Sequence, residues 1–326
     1  MTEIFGWPAD ETGCGYYRIQ LPMQGLAALG HTTSYAQRMP VAVRENPDTI
    51  IVGQRIATEG PTELWQNLAA EGRHLVYEID DDLWNIDASN ARAHKFFNDP
   101  DVQQRLIRNI QVAAAVTVTT APLAEQVARW NPNVHIVPNA VPDWLLDHQP
   151  PQRDDGTLTI GWGGSATHQM DWDQAAGPVR QFLRRNPGTE IHIIGTPYMT
   201  GTDPTRSRFT PWVPDVETWL KTIDYHIGIA PLRPHIFNQA KSAIKALEAG
   251  ALGIPVVASA VRPYEDHIQH GVTGFLVRRD HEWGRHLRAL THDHDMRQAM
   301  GAAAREQARQ HTITALAPAW EKAILR

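Results

Sequence analysis

The chain has 326 residues, 42% of them hydrophobic and 20% charged, with a formal net charge of −6. That length exceeds one ordinary core and suits two domains of about 150 residues each, and the composition excludes a disordered chain. The acidic balance excludes a protein-wide basic field for nucleic acid and leaves only a local basic groove open.

EIFGW (residues 3–7) reads as a short strand, followed by the glycine loop ETGCG. YYRIQLPMQGLAALG then has helical periodicity and stops at Gly30, with Pro22 at a kink or a late start. TIIVG (49–53) and HLVYEI (74–79) are apolar runs that predict buried strands. PTELWQNLAAEG between them predicts a helix with Pro61 in its first turn. Arg92, Lys95, Arg105 and Arg108 form either a basic edge or an ordinary solvated helix face. AAAVTVTT (113–120), APLAEQVARW and VHIVPN (134–139) predict strand, helix and strand. PDWLLDHQPPQRDDG (142–156) is rich in Pro and Asp and reads as a linker. The alternation restarts with strand LTIGWGG, a helix near QAAGPVRQFLRRN, strand EIHIIGT and a helix near VETWLKTI. Strand YHIGIAPL, helix KSAIKALEAGALG, strands IPVVAS and GFLVRR, and two helical stretches complete it. Such alternation predicts two successive α/β domains, residues 1–146 and 147–326, each on a parallel sheet covered on both faces.

In open parallel sheets, ligands bind beyond the C-terminal strand ends. TGCGYY, with Gly13 and Gly15, and GWGGSATH, with Gly163, Gly164, Ser165 and His168, occupy such positions. Glycines there serve either close approach to phosphate or a tight turn. Asp80, Asp81 and Asp82 end the strand LVYEI and fit a cation site, an acid–base group or a turn cap. Lys241, Lys245 and Glu248, spaced four and three apart, share one face if all three are helical. His292 and His294 have no third ligand at a recognisable spacing, so they read as a solvated loop.

LEAGALGIPVVAS (247–259) resembles the LEAMACGKPVIAS-type signature of retaining GT-B glycosyltransferases, in particular glycosyltransferase family 4. VPNAVP (137–142), FTPWV (209–213), YHIGIAPL (225–232) and HGVTGFLV (270–277) extend the resemblance in order, and VYEIDDDLW (76–84) is similar to the family's VYTVHDLW. The resemblance implies an α/β GT-B fold of two Rossmann-like parallel-sheet domains facing a cleft, with the final helix returning to the first domain. It implies a retaining hexosyltransferase that moves a sugar from a nucleotide-diphosphate sugar, a UDP-sugar ahead of a GDP-sugar, to an acceptor hydroxyl. A nucleotide-sugar 2-epimerase and a non-catalytic nucleotide-sugar binder are the alternatives.

By the same resemblance Glu248 holds the ribose hydroxyls. The family's second glutamate, eight positions earlier, is Ala240 here, and the variant FNxxKSxxKxxE offers Asn238, Lys241, Ser242 and Lys245 instead. Lys241 is the expected diphosphate partner. The family's Arg and Lys after the first strand of the second domain are absent, which leaves Gly163, Gly164, Ser165, His168 and Arg206 or Arg208 as substitutes. Trp212 and Val213 fall at the nucleobase loop, and Gly13 and Gly15 complete the donor set. Asp81, then Asp80, stand where the family has a reaction-centre histidine and are the expected catalytic groups, with Tyr16, Arg18 and Asp82 on the acceptor side. No metal or cofactor is expected, since basic side chains and helix termini offset the leaving diphosphate in this fold. The compact build is similar to bacterial and phage-encoded members, whose acceptors include surface polysaccharide, capsid protein and hydroxymethylated DNA. A single cysteine, Cys14, no signal peptide and no apolar run long enough to span a bilayer point to the cytoplasm.

Overall fold

The structure, a computed structural model, describes residues 1–150, 156–198 and 203–325. Two units emerge: Met1–Pro142 with Ala240–Ser242 and His311–Arg326, and Asp143–Gln239 with Ala243–Gln310. The first therefore ends at Pro142 rather than at 146 and takes in two later segments. Of the predicted linker, residues 151–155 lie outside the described residues.

The first unit is built on β1 (Glu3–Trp7), β2 (Thr32–Tyr35), β3 (Ile50–Gln54), β4 (Leu75–Ile79), β5 (Ala115–Val118) and β6 (Val134–Ile136). They form one parallel sheet in the order β2-β1-β3-β4-β5-β6. β3 and β4 are buried along their whole length, as their continuous apolar runs require. β2, the sequence TTSY, is a mostly exposed edge strand that apolar periodicity does not reveal. Past β1 the chain makes one π-helical turn, Tyr16–Gln20, before the helix Leu21–Ala28. Pro22 explains the widening: in a regular helix its ring would collide with the Arg18 carbonyl, and its missing N–H removes that bond.

Arg18 sits in this π turn and is 1% exposed. Its Nε donates to Glu78 Oε1 at 2.6 Å, and its Nη1 donates to the Val137 carbonyl at 2.7 Å and to Asn139 Oδ1 at 3.2 Å. Its guanidinium lies 4.6 Å from the ring of Trp320, on the helix Ile313–Ile324. That helix packs on Leu21–Ala28 so closely that a Cβ on Gly25 would meet Ile313 at 2.8 Å and Ala317 at 3.0 Å.

The second unit contains β7 (Leu158–Gly164), β8 (Thr189–Gly195), β9 (Ser207–Pro211), β10 (Ile227–Ala230), β11 (Val256–Ser259) and β12 (Gly274–Val277). Their parallel order, β12-β11-β10-β7-β8-β9, is the doubly wound order, with its switch point between β7 and β10. Gly161 in β7 is fixed by packing, because a Cβ there would fall 1.7 Å from the Tyr225 ring. The expected loop FTPWV is in part the edge strand β9. It is pinned by Arg208, which donates to both oxygens of Asp224, and by His192, bridged to Asp224 at 2.7 Å and Thr210 at 2.8 Å. These partners hold the Asp224 carboxyl well below the usual range despite partial burial.

Burial pushes the Glu78 carboxyl from 4.5 up to about 7, against the pull of Arg18. As pH rises through that window the unfolded chain sheds its proton first, so the contribution of Glu78 is full at the lower end and declines through the upper. Glu78→Gln should flatten this part of the stability–pH curve of the first unit. Glu78→Ala, which strands a buried guanidinium, should cost about 3–5 kcal/mol. Urea denaturation between pH 4 and 8 reads both, and a slope unchanged in Glu78→Gln rejects the assignment.

Candidate functional site

In the second unit the chemistry gathers at the switch point. β7 gives way to Ser165, a 3-10 turn Ala166–His168 and the helix Gln169–Arg185. β10 gives way to a loop and the short helix Ile236–Gln239. Asp171, in the first turn of the long helix and 7% exposed, joins the two. Its Oδ2 lies 2.8 Å from His168 Nδ1, while its Oδ1 accepts from Arg233 N at 3.0 Å and from Asn238 Nδ2 at 3.1 Å. Glu248 is buried on the helix Ile244–Ala251. Lys245, one turn before it, holds its Nζ 5.4 Å from the Trp162 ring. The Tyr225 and Tyr264 hydroxyls are pushed up by burial, with the Glu248 charge adding to the effect.

Gly163 and Gly164 are the last residues of β7, in register with Ile194 and Gly195. A Cβ on Gly163 would meet the Trp219 ring at 2.7 Å, so it has a packing reason for being glycine. Ser165 pairs its hydroxyl with Thr167 at 2.8 Å. Trp212, 47% exposed, follows β9 with half-buried Val213 and lies 5.4 Å from the Trp219 ring.

In the first unit a charged cluster forms beyond β3 and β4. Arg55 adopts φ +48°, the left-handed region that side chains disfavour. Its N–H donates to the Glu78 carbonyl at 3.0 Å, its Nε to Asp80 at 2.5 Å and its Nη2 to Asp81 at 2.9 Å. Lys241 Nζ lies 3.6 Å from the other Asp81 oxygen. Burial raises the Asp81 carboxyl, but Lys241 and Arg55 together outweigh it and hold the group below its ordinary value. Such a carboxylate stays ionised and accepts hydrogen bonds well, but it is a weak base. Asp10 Oδ1 ties the glycine loop to Thr12 N at 2.8 Å and Gly15 N at 3.2 Å. A Cβ on Gly15 would sit 1.8 Å from the Asp10 carbonyl, whereas Gly13 has open space. Burial raises the neighbouring Cys14 thiol.

Several expectations are corrected. Lys241 and Ser242 do not share a helical face with Lys245 and Glu248, because the helix begins only at Ile244. They cluster with the first unit, where the Ser242 hydroxyl accepts from Asn139 Nδ2 at 2.8 Å. Arg18 and Tyr16 are buried rather than acceptor-facing, Arg18 as described and Tyr16 edge-on to Tyr17 at 5.2 Å. Asp82 is a buried turn residue that accepts from Asn85 Nδ2 at 2.7 Å, and burial raises its carboxyl. Arg206 precedes β9, at the sheet edge opposite the strand C-termini. It donates to the carbonyls of Leu183 at 2.8 Å and Asn186 at 3.1 Å, capping the end of the Gln169–Arg185 helix. Sequence reasoning missed Arg55 and Asp171. Both carried a signal: Arg55 follows a strand end, and Asp171 stands three residues after His168 at a helix start.

Two helix-covered parallel sheets of six strands in one chain define the α/β GT-B fold, and the solved structures it resembles are glycosyltransferases of that fold. Residues 161–293, within the second unit, match the family described as glycosyl transferases group 1. A D-inositol 3-phosphate glycosyltransferase from Jonesia denitrificans is 24% identical over 310 residues. The alignment covers 90% of this chain, which spans 65% of the length of that relative. Sucrose-phosphate synthase from Thermosynechococcus elongatus superposes with a TM-score of 0.69 at 13% identity, covering 98% of each chain. Anabaena HepE in complex with UDP-glucose gives 0.69 at 11% identity, covering 99% of each. Among the described residues no helix is long and apolar enough to cross a membrane.

The correction of Arg206 is testable. Arg206→Ala should lower the stability of the second unit by about 1–3 kcal/mol, as for carbonyls losing a charged donor. Thermal denaturation reads the loss, and a stability unchanged in Arg206→Ala would reject the capping assignment.

Proposed function

We propose that this protein is a retaining glycosyltransferase that moves a sugar from a nucleotide-diphosphate sugar to an acceptor hydroxyl. The observation that carries the reading is Glu248, a buried carboxylate on a helix inside the segment matching glycosyl transferases group 1. One carboxylate can accept from both vicinal hydroxyls of a ribose. UDP is the favoured nucleotide, and the fold shared with HepE, solved with UDP-glucose, supports it. Trp212 and Val213 take the nucleobase, and Gly163, Gly164, Ser165, His168, Asn238 and Lys245 take the rest of the donor. Lys241 carries positive charge for the diphosphate, and Ser242 and the Gly13–Gly15 loop assist.

Asp81 acts on the acceptor, with Asp80 beside it. Held ionised by two cations, Asp81 orients the attacking hydroxyl as a hydrogen-bond acceptor rather than stripping its proton outright. Retention then has the departing diphosphate oxygen take up that proton. No metal is required, because cationic side chains and helix termini offset the leaving charge. The acceptor we propose is a hydroxyl on a macromolecule, in the class of surface polysaccharide, capsid protein or hydroxymethylated DNA.

Free UDP is measured after incubation with UDP-glucose or UDP-N-acetylglucosamine, with and without a panel of these acceptors and inositol phosphate. Release that requires an acceptor, with the product anomer retained by NMR, is the expected result. Acceptor-independent release of an epimerised sugar would mean a 2-epimerase, and tight binding without release would mean a non-catalytic binder. Glu248→Gln should weaken UDP binding by about 1–3 kcal/mol. Asp81→Asn should abolish transfer yet leave UDP-sugar affinity nearly intact, and chelator should not slow the rate. Restoration by manganese after chelation, together with loss of donor affinity in Asp81→Asn, would make the aspartates a metal site.

A further inference from the structure

We propose that the second unit holds a further ligand site, an arginine-lined cavity at the edge where its strands start, which takes a small organic phosphate carrying a second anionic group. The site is independent of the nucleotide-sugar reading, because none of the residues given to the donor above lines this cavity.

The topology sets its place. Asp224, Tyr225 and His226 come just before β10, and Ile254 and Pro255 just before β11, so in a parallel sheet all five lie where strands begin. Ser165, His168 and Asn238 follow strands and lie at the other end. The cavity has a volume of about 380 Å³, within the range of small-molecule sites. One wall is the helix His294–Arg309, which contributes Arg297, Gln298, Arg305 and Arg309.

Charge accounting leaves the cavity positive. Its two carboxylates are already matched: Asp224 by Arg208 and His192, and Glu306 by Arg309, whose Nε donates to it at 3.1 Å. Arg297 and Arg305 form no ion pair among the described residues, and each meets one backbone carbonyl. Arg297 Nη1 donates to Leu290 at 2.6 Å, and Arg305 Nη2 donates to Leu252 at 2.9 Å. A guanidinium has five N–H donors, so each keeps most of its fork. Arg206, by contrast, commits both terminal nitrogens to carbonyls. Burial lowers the Arg297 guanidinium below its ordinary value even though the Asp293 charge opposes the effect. Arg305 Nε is buried without a hydrogen-bond partner and lies against Gly253, where a Cβ would fall 3.2 Å from it.

These donors select the ligand. Guanidinium forks match phosphate oxygens in pairs. Arg305 and Arg309 are one helical turn apart, close enough to share one phosphate. Arg297 lies eight residues before Arg305, about 12 Å along the helix, and meets an anionic group at the other end of the ligand. Leu252, Ile254 and Pro255 offer an apolar wall to the organic part between. The end of the Ile244–Ala251 helix would repel an anion, but Arg305 already holds its Leu252 carbonyl.

The test is calorimetry on the full chain without UDP, using fructose 1,6-bisphosphate, fructose 6-phosphate, inorganic phosphate and fructose. The bisphosphate should bind, the monophosphate about tenfold more weakly, inorganic phosphate more weakly still and fructose not at all. Arg305→Gln should weaken both sugar phosphates about tenfold, whereas Arg297→Gln should weaken only the bisphosphate, by about the same factor. Glu248→Gln should leave this binding unchanged. No binding of the bisphosphate at about 1 mM, inorganic phosphate binding as tightly as the bisphosphate, or unchanged affinity in both arginine variants would each overturn the proposal. Loss of binding in Glu248→Gln would also overturn it, by placing the compound in the donor site. Should Arg305→Gln not fold, Arg297→Gln and Arg309→Gln decide, and unchanged bisphosphate affinity in both overturns it. Failure of the donor reading would show as absent UDP binding and leave these results untouched.

Discussion

A guanidinium buried without water must find its partners inside the protein, and Arg18 finds them in four places. Glu78 at the end of β4, the carbonyl of Val137, the amide of Asn139 and the ring of Trp320 converge on one side chain from positions far apart in sequence. Breaking any of them leaves a buried charge or polar atom poorly paired, which costs more than an exposed contact is worth. The first helix, the sheet, the segment after β6 and the C-terminal helix are therefore committed together. The consequence reaches the charged cluster. Arg18 can only donate, so Asn139 presents Oδ1 to it and Nδ2 to the Ser242 hydroxyl. Ser242 adjoins Lys241, and Lys241 pairs with Asp81.

Two sets of carboxylates illustrate opposite uses of the same physics. Asp80 and Asp81 lie against two cations, Arg55 and Lys241, so their charge is largely offset. Arg55 reaches both by accepting a left-handed backbone, a cost that two charge-assisted bonds offset. Asp171 is as buried as Asp82 but is surrounded by an imidazole, an amide and a backbone N–H, which read its position rather than cancel its charge. Asp82 itself has neither kind of partner set and ends as a turn residue whose carboxyl burial raises.

Much of the fold was legible because its code is local. Continuous apolar runs such as TIIVG and IPVVAS mark buried parallel strands wherever they occur, and their alternation with helical periods fixes the α/β class. The motif LEAGALGIPVVAS, which runs from a helix into the buried strand β11, carries the resemblance of the second domain to glycosyltransferases. What was not legible is what has no local code. TTSY pairs as a strand only because β1 offers it an open edge. FTPWV likewise became partly a strand because β8 was there to receive it.

The sequence alone determined two α/β domains, the resemblance of the second to glycosyltransferases, and the candidacy of Glu248, His168 and the three aspartates. Only the tertiary structure decided which charges are spent. Arg18 and Arg206 look like ligand-binding cations in the sequence, but Glu78 and the carbonyls of Leu183 and Asn186 already hold them. Lys241 looks like the start of a helix face shared with Glu248, but it pairs with Asp81 instead. A side chain's type states what it can bond. Which partner it meets depends on residues tens to hundreds of positions away, and only the packed chain brings those together.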